Sequence, residues 1–214
     1  MASAPLRRPV PGRARRSHAE RTAETRARIL AAVVESIAEI GFGRTTAAEI
    51  TRRAGVTWGA VQHHFGDKDG ILVAVLEDSF DRFAQLLETA EIEEAPLERR
   101  VEVFVARAWE HFSSRAYAST FEILLDHLRR GDPPLRGGAG WQTRMSRAWE
   151  RVWRRFFGGA PISRRRHGEL QHYTISVLSG LASTLMLEGR AARVRDAELD
   201  LLRDTLVREL SAQS

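Results

Sequence analysis

The chain has 214 residues, 43% hydrophobic and 29% charged, which is enough apolar material for one compact domain or two small ones and excludes general disorder. It holds no cysteine, so disulfide frameworks, thiolate zinc sites, iron–sulfur clusters and a cysteine nucleophile are excluded together. The formal charge of +5 is unevenly placed: residues 1–30 carry eight arginines against Glu20 and Glu24, whereas everything after residue 30 sums to −1. Lys68 is the only lysine among 33 basic residues, a bias toward arginine that makes no single arginine diagnostic of a phosphate contact. No apolar run approaches the roughly 18–20 residues that span a bilayer, and the N-terminus lacks the apolar stretch of a secretory signal. A cytoplasmic protein without a membrane partner is expected.

Residues 1–16 contain Pro5, Pro9, Pro11, Gly12 and five arginines but no acid. Such a segment neither buries surface nor holds a helix, so a disordered basic arm is expected there. It serves either as a solvated tail that raises non-specific affinity or as a minor-groove or phosphate contact. From Ser17 the pattern changes. Ser17 and Glu20 have capping-box spacing, and Ile29, Leu30, Val33, Val34, Ile37 and Ile40 follow at helical intervals until Gly41. A second capping box, Thr46 with Glu49, opens a short helix that turns Ile50 and Ala54 inward and ends at Gly55.

Gly55, Val56 and Thr57 form a connection too short for antiparallel packing but suited to two helices meeting at a steep angle, the helix-turn-helix arrangement. Thr57 caps a third helix from Trp58 to His64, and Asp67 caps a fourth that carries Ile71, Leu72, Val75, Leu76, Phe80, Phe83, Leu86 and Leu87 on one side. Beyond residue 90 the periodicity stays helical. Pro96 marks a start, followed by the stripes Val101 to Phe112 and Phe121 to Leu128 and a break at Gly131-Asp132-Pro133-Pro134 and Gly137-Gly138. Helices then run from Trp141 to Phe157, from about Ser163 to Glu188 and from Asp196 to Leu210. No segment alternates with period two, so the expected fold is all-α, about nine helices, with no sheet and no repeat.

Residues 45–69 resemble the DNA-binding segment of the tetracycline-repressor (TetR) family of transcriptional regulators. The resemblance reaches from Arg28-Ile29-Leu30 to Leu76. It rests on Gly41-Phe42, Thr45-Thr46, Ile50, Ala54-Gly55-Val56, Gly59, His64-Phe65 and Lys68 at fixed spacing. It implies a helix-turn-helix domain over residues 17–66 and an effector-binding and dimerisation domain over 67–214 that begins with the connecting helix.

The residues make physical sense in that role. A recognition helix enters a groove about 12 Å wide and needs small side chains where backbone approaches DNA, which Gly59 and Ala60 supply. Thr46 and Thr57 stand at helix N-termini, where hydroxyls and free N–H groups hold phosphate oxygens, and Lys68 brings a cation to another such end. Trp58, Gln62 and His63 are placed to reach base edges. His64 resembles a family position that touches the DNA backbone. Gln62 stands where the family usually has tyrosine; its amide either pairs with adenine or takes over the phosphate contact of the phenol. Ala48 is a further departure, at a position of the second helix where polar side chains help to read bases. His63 and His64 point about 100° apart and have no third ligand at metal spacing, so no metal is expected.

The second half carries no specific motif. Its aromatic stock points to a ligand pocket between helices, and Trp109, Phe112, Phe121, His127, Trp149 and His172 are its candidate lining, with Glu122 and Asp126 as further polar handles. The small residues Ser176, Ser179, Gly180, Ala182 and Ser183, beside the apolar stripes of the last two helices, suggest a two-fold four-helix interface between two copies. No phosphate loop, nucleophile elbow, metal-binding His/Glu motif or recognisable catalytic carboxylate pair is present, so neither enzymatic activity nor a cofactor is expected. The expected function is a homodimeric repressor that binds a palindromic operator on double-stranded DNA and is released by a small-molecule effector. The alternative is an architectural or activating DNA-binding protein without an effector.

Overall fold

The computed structural model describes residues 17–130, 138–188 and 195–212. Among them the regular structure is entirely helical: α1 (His18–Ile40), a short 3-10 turn (Phe42–Arg44), α2 (Ala47–Ala54), α3 (Trp58–Phe65), α4 (Lys68–Glu88), α5 (Leu97–Phe112), α6 (Arg115–Arg130), α7 (Gly138–Phe157), α8 (Arg164–Glu188) and α9 (Asp196–Ser211). The basic arm of residues 1–16 and the expected break over 131–137 lie outside the described residues. Gly138, expected in that break, instead begins α7, in a first turn where N–H groups lack intrahelical partners in any case.

The caps follow from the sequence. Ser17 Oγ accepts from the Glu20 N–H at 3.1 Å and the Glu20 carboxylate accepts from the Ser17 N–H at 2.7 Å, a complete capping box. At α2 only half of the expected box forms. Thr46 Oγ1 accepts from the Glu49 N–H at 3.2 Å, but the Glu49 carboxylate turns away to Arg52 Nε at 3.0 Å and Arg53 Nε at 2.5 Å. Two guanidiniums outcompete one neutral N–H for a carboxylate, and they hold the Glu49 pKa down to about 2. Thr57 caps α3 through the Ala60 N–H, and Asp67 caps α4 through the Gly70 N–H at 2.9 Å.

Two cores organise the molecule. The first gathers Ile29, Leu30, Val33 and Ile37 of α1, Ile50 and Ala54 of α2, Val61 of α3 and Ile71, Leu72 and Val75 of α4. Ile123 of α6 is fully buried in the same cluster. The second gathers Phe83 and Leu87 of α4 with Phe104 and Val105 of α5, Trp149, Val152, Trp153, Phe156 and Phe157 of α7, Leu178 of α8 and Leu199, Leu202, Leu206 and Leu210 of α9. Phe104 sits at its centre, with ring centroids of Trp149, Trp153, Phe156 and Phe157 between 5.0 and 6.2 Å away. Truncating such a residue to alanine costs about 3–5 kcal/mol. Helix α4 belongs to both cores, its first half to one and its second half to the other.

Leu199, Leu202, Leu206 and Leu210 of α9 correct one part of the expected two-fold interface. They are buried within the protomer because their i, i+3, i+4 spacing turns them inward against its own second core. What stays exposed is the α8 part of the expected interface, Tyr173, Ser176, Gly180 and Leu187 with Thr184 along one stripe, and Leu201 on α9.

Candidate nucleic-acid interface and ligand cavity

Helices α2 and α3 bury one residue set and expose another. Val61 fixes the inner face of α3, while Thr46, Ala48, Thr57, Gly59, Gln62 and His63 are exposed. Gly55 ends α2 in the left-handed region at φ 62°, where its missing Cβ removes the steric cost. Both threonine hydroxyls accept a backbone N–H and keep their own proton to donate, so each cap can also hold a phosphate oxygen. A Cβ added at Gly59 would meet only Thr57 Oγ1, at 3.9 Å, so the space over the α3 N-terminus is open.

Trp58 is half-buried and packs against the first core, so its ring is shared between that core and the outer face. His64 is also half-buried; desolvation, then the neighbouring charges of His63 and Arg26, lower its pKa. The Arg26 guanidinium lies over the Phe65 ring, 4.7 Å from its centroid, and ties α1 to the end of α3. Lys68 is the first residue of α4, and its side chain lies outside the described set. Thr45, part of the sequence motif, is structural: buried, it shares a 3.0 Å hydrogen bond with Ser36 and donates to the Gly41 carbonyl. No group of three metal-ligating side chains occurs among the described residues.

In the second half, α4, α5, α6, α7 and α8 enclose a cavity of about 580 Å³. Phe112, Phe121, Trp149 and His172 line it, together with Leu76, Phe80, Phe83, Leu124, Met145 and Ile175. Trp109 and His127 are absent from this lining, which corrects their expected place. Trp109 projects from another face of α5, against the second core, and His127 lies almost a turn beyond Leu124, the last α6 residue at the cavity. His172 is exposed at the rim, its Nδ1 2.9 Å from the Gly168 carbonyl.

Among the polar residues of the lining that sequence reasoning did not place there are Tyr117, Ser179, His111 and Ser79. Tyr117 donates its hydroxyl to Ser179 Oγ at 3.2 Å, joining α6 to α8, and burial raises its pKa despite that bond. His111 packs its ring 4.9 Å from Phe83, and burial alone lowers its pKa to about 4, so it is a neutral imidazole at pH 7. Ser79 is buried at 4% exposure. The pair Tyr117 and Phe121, one turn apart, was a legible signal; Ser79 and His111 had none, because their burial depends on helices distant in sequence.

Glu122 corrects another expectation. It does not face the cavity; its carboxylate accepts the Phe42 N–H at 3.1 Å, and on the preceding turn Ser119 Oγ donates to the Val34 carbonyl at 3.2 Å. Helix α6 thus lines the cavity with one face and grips α1 and the 3-10 turn with another. Leu76 and Leu124 do both, lining the cavity while packing in the first core.

Residues 29–75 match the family model of bacterial regulatory proteins of the tetR family. The chain is 25% identical over 194 residues to the HTH-type transcriptional regulator CymR of Pseudomonas putida, a match spanning 89% of this chain and 95% of that protein. It is 38% identical to the HTH-type transcriptional regulator BetI of Escherichia coli O127:H6 over 82 residues, 37% of this chain and 42% of BetI. The crystal structure of the transcriptional regulator FadR from Bacillus subtilis, in complex with stearoyl-CoA, superposes with a TM-score of 0.64 at 16% identity over 88% of this chain and 98% of that one.

Proposed function

The chain belongs to the tetR family of bacterial regulatory proteins and is a DNA-binding transcriptional regulator, and we propose that it acts as a homodimeric repressor released from a palindromic operator by a small molecule in the 580 Å³ cavity. The acting residues are Thr46 and Thr57 on phosphates, Lys68 and His64 beside them, and Gln62, His63 and the outer part of Trp58 at base edges, with Gly59 giving the backbone close approach. The exposed α8 stripe Tyr173, Ser176, Gly180, Thr184 and Leu187 supports the dimer, since small residues let two helices approach across a two-fold axis. The protein works in the cytoplasm, by binding, with no catalytic step.

The observation that carries this reading is the double duty of α6. A ligand that pushes Leu124 or Leu76 acts on side chains that also pack the DNA-binding core, and the Glu122 and Ser119 hydrogen bonds hold α6 to that domain. A ligand shifts operator affinity only by its differential affinity for the two arrangements, typically about 1–3 kcal/mol, or about 5–150-fold. Transcription in vitro from a promoter overlapping the operator tests the reading. Addition of the protein lowers transcript yield and a cavity ligand restores it; a rise in yield on adding the protein would replace repression by activation.

A further inference from the structure

The buried lining of the cavity is aromatic and uncharged. Phe83, Phe112 and Trp149 are buried there, and the described lining holds no lysine or arginine. Its single carboxylate, Glu150, is exposed and therefore sits in screening solvent. In the adjoining groove, the guanidinium of Arg144 is paired with Glu77 and that of Arg151 with Glu88, and Arg147 is exposed to screening solvent, so none of the three supplies a buried counter-charge. An ionic group carried into the cavity would lose its hydration without gaining a buried counter-charge, which disfavours charged ligands strongly.

Ser79 and His111, both in the lining, have no side-chain hydrogen-bond partner among the described residues. Ser79 Oγ is fully buried without one, an arrangement rare enough to need an explanation. The His111 imidazole, in the last turn of α5, has ring contacts with Phe83, Phe112 and Tyr117 but no side-chain hydrogen bond among the described residues. Both groups line the same cavity, and both are tied to Phe83: Ser79 stands one turn before it on α4, and the His111 ring packs against its ring.

We propose that the cavity takes an uncharged, largely apolar aromatic or alicyclic molecule whose single hydroxyl group hydrogen-bonds to Ser79 Oγ and the His111 imidazole. A hydroxyl both donates and accepts, so it satisfies a neutral imidazole in either tautomer and the serine at the same time. A site built to bond a hydroxyl discriminates strongly against analogues that lack it, because the buried partners are then left unpaired. The assignment rests on the effector reading given above, but its test separates the two.

Calorimetric titration of the full chain compares biphenyl-4-ol with biphenyl, biphenyl-4-carboxylate and biphenyl-4-yl-trimethylammonium. The phenol binds at least tenfold tighter than each of the others. Ser79→Ala and His111→Phe each lose about tenfold for the phenol and keep wild-type affinity for biphenyl, with thermal melting confirming that both variants fold. Either charged probe binding as tightly as the phenol, a phenol no tighter than the hydrocarbon, including failure of both to bind, or variants that retain full phenol affinity would overturn the proposal. Operator affinity is measured in parallel. Tight, Ser79-dependent phenol binding without operator release would leave the ligand class standing and remove the effector reading; operator release by an ionic probe alone would do the reverse.

Discussion

Replacing Gly59 by leucine separates folding from DNA binding, because the position is exposed and the nearest atom to an added Cβ is Thr57 Oγ1 at 3.9 Å. Leucine has the higher helix propensity, by about 0.5–1 kcal/mol, so the variant melts at the wild-type temperature or about 2–4 °C above it. On DNA the outcome reverses. In the proposed complex the leucine side chain occupies the space between the α3 N-terminus and the duplex, and it holds the Thr57 cap beyond hydrogen-bond distance of a phosphate. Loss of two charge-assisted contacts of about 1.5 kcal/mol each weakens operator binding by about 100-fold. Fluorescence anisotropy with a labelled operator at about 0.15 M salt, where charge-only attraction is screened, measures this directly. Gly59→Leu binding within about threefold of wild type would show that the α3 N-terminus does not approach DNA.

Gln62→Ala relaxes preference at one base pair per half-site, by about 1–3 kcal/mol, and a selection that recovers the wild-type preference at reduced affinity would assign Gln62 to phosphate instead. Glu122→Ala removes the acceptor of the Phe42 N–H, a hydrogen bond worth about 1.5–3 kcal/mol; the expected result is a cavity ligand that still binds but changes operator affinity less than in the wild type, and an undiminished response would free Glu122 of any part in transmission. His111, with its pKa lowered to about 4, stays neutral in the native state while the unfolded chain takes up a proton below about pH 6.5. Its contribution to stability is therefore complete above about pH 6.5 and is lost as pH falls toward 4, by up to about 3 kcal/mol; denaturation across that window shows a steeper loss of stability in the wild type than in His111→Phe. Gly70→Ala drives a Cβ into the Phe65 carbonyl oxygen, so the α3–α4 junction must shift and stability falls by about 1–3 kcal/mol, read as a lower melting temperature.

The elements and the helix-turn-helix segment were legible because their signals are local. Caps at Ser17, Thr46, Thr57 and Asp67, stops at Gly41 and Gly55, and apolar residues three and four apart all lie within single helices, so chain order alone reveals them. The cavity was legible only as a surplus of aromatics. Phe112, Phe121 and Trp149 line it and Trp109 does not, a distinction set by how α5 is rotated against α4 and α7. Glu122 and Ser119 carry the same limit further: a carboxylate and a hydroxyl on a helix of the second half find their partners at Phe42 and Val34, some eighty residues earlier. Glu49 shows that even a local pattern misleads when a stronger competitor is near, since Arg52 and Arg53 claim the carboxylate that the capping-box spacing assigns to the backbone.

Site-specific reading of DNA by a two-fold dimer is tested most directly by incubating the purified chain with sheared genomic DNA from its source at about 0.15 M salt, then sequencing the bound fragments. A palindrome is the expected recovery, its half-site centres about 34–36 Å apart along the helix or a multiple of that distance. Fragments recovered without sequence preference from ligand-free protein would contradict this and leave an architectural DNA binder in its place.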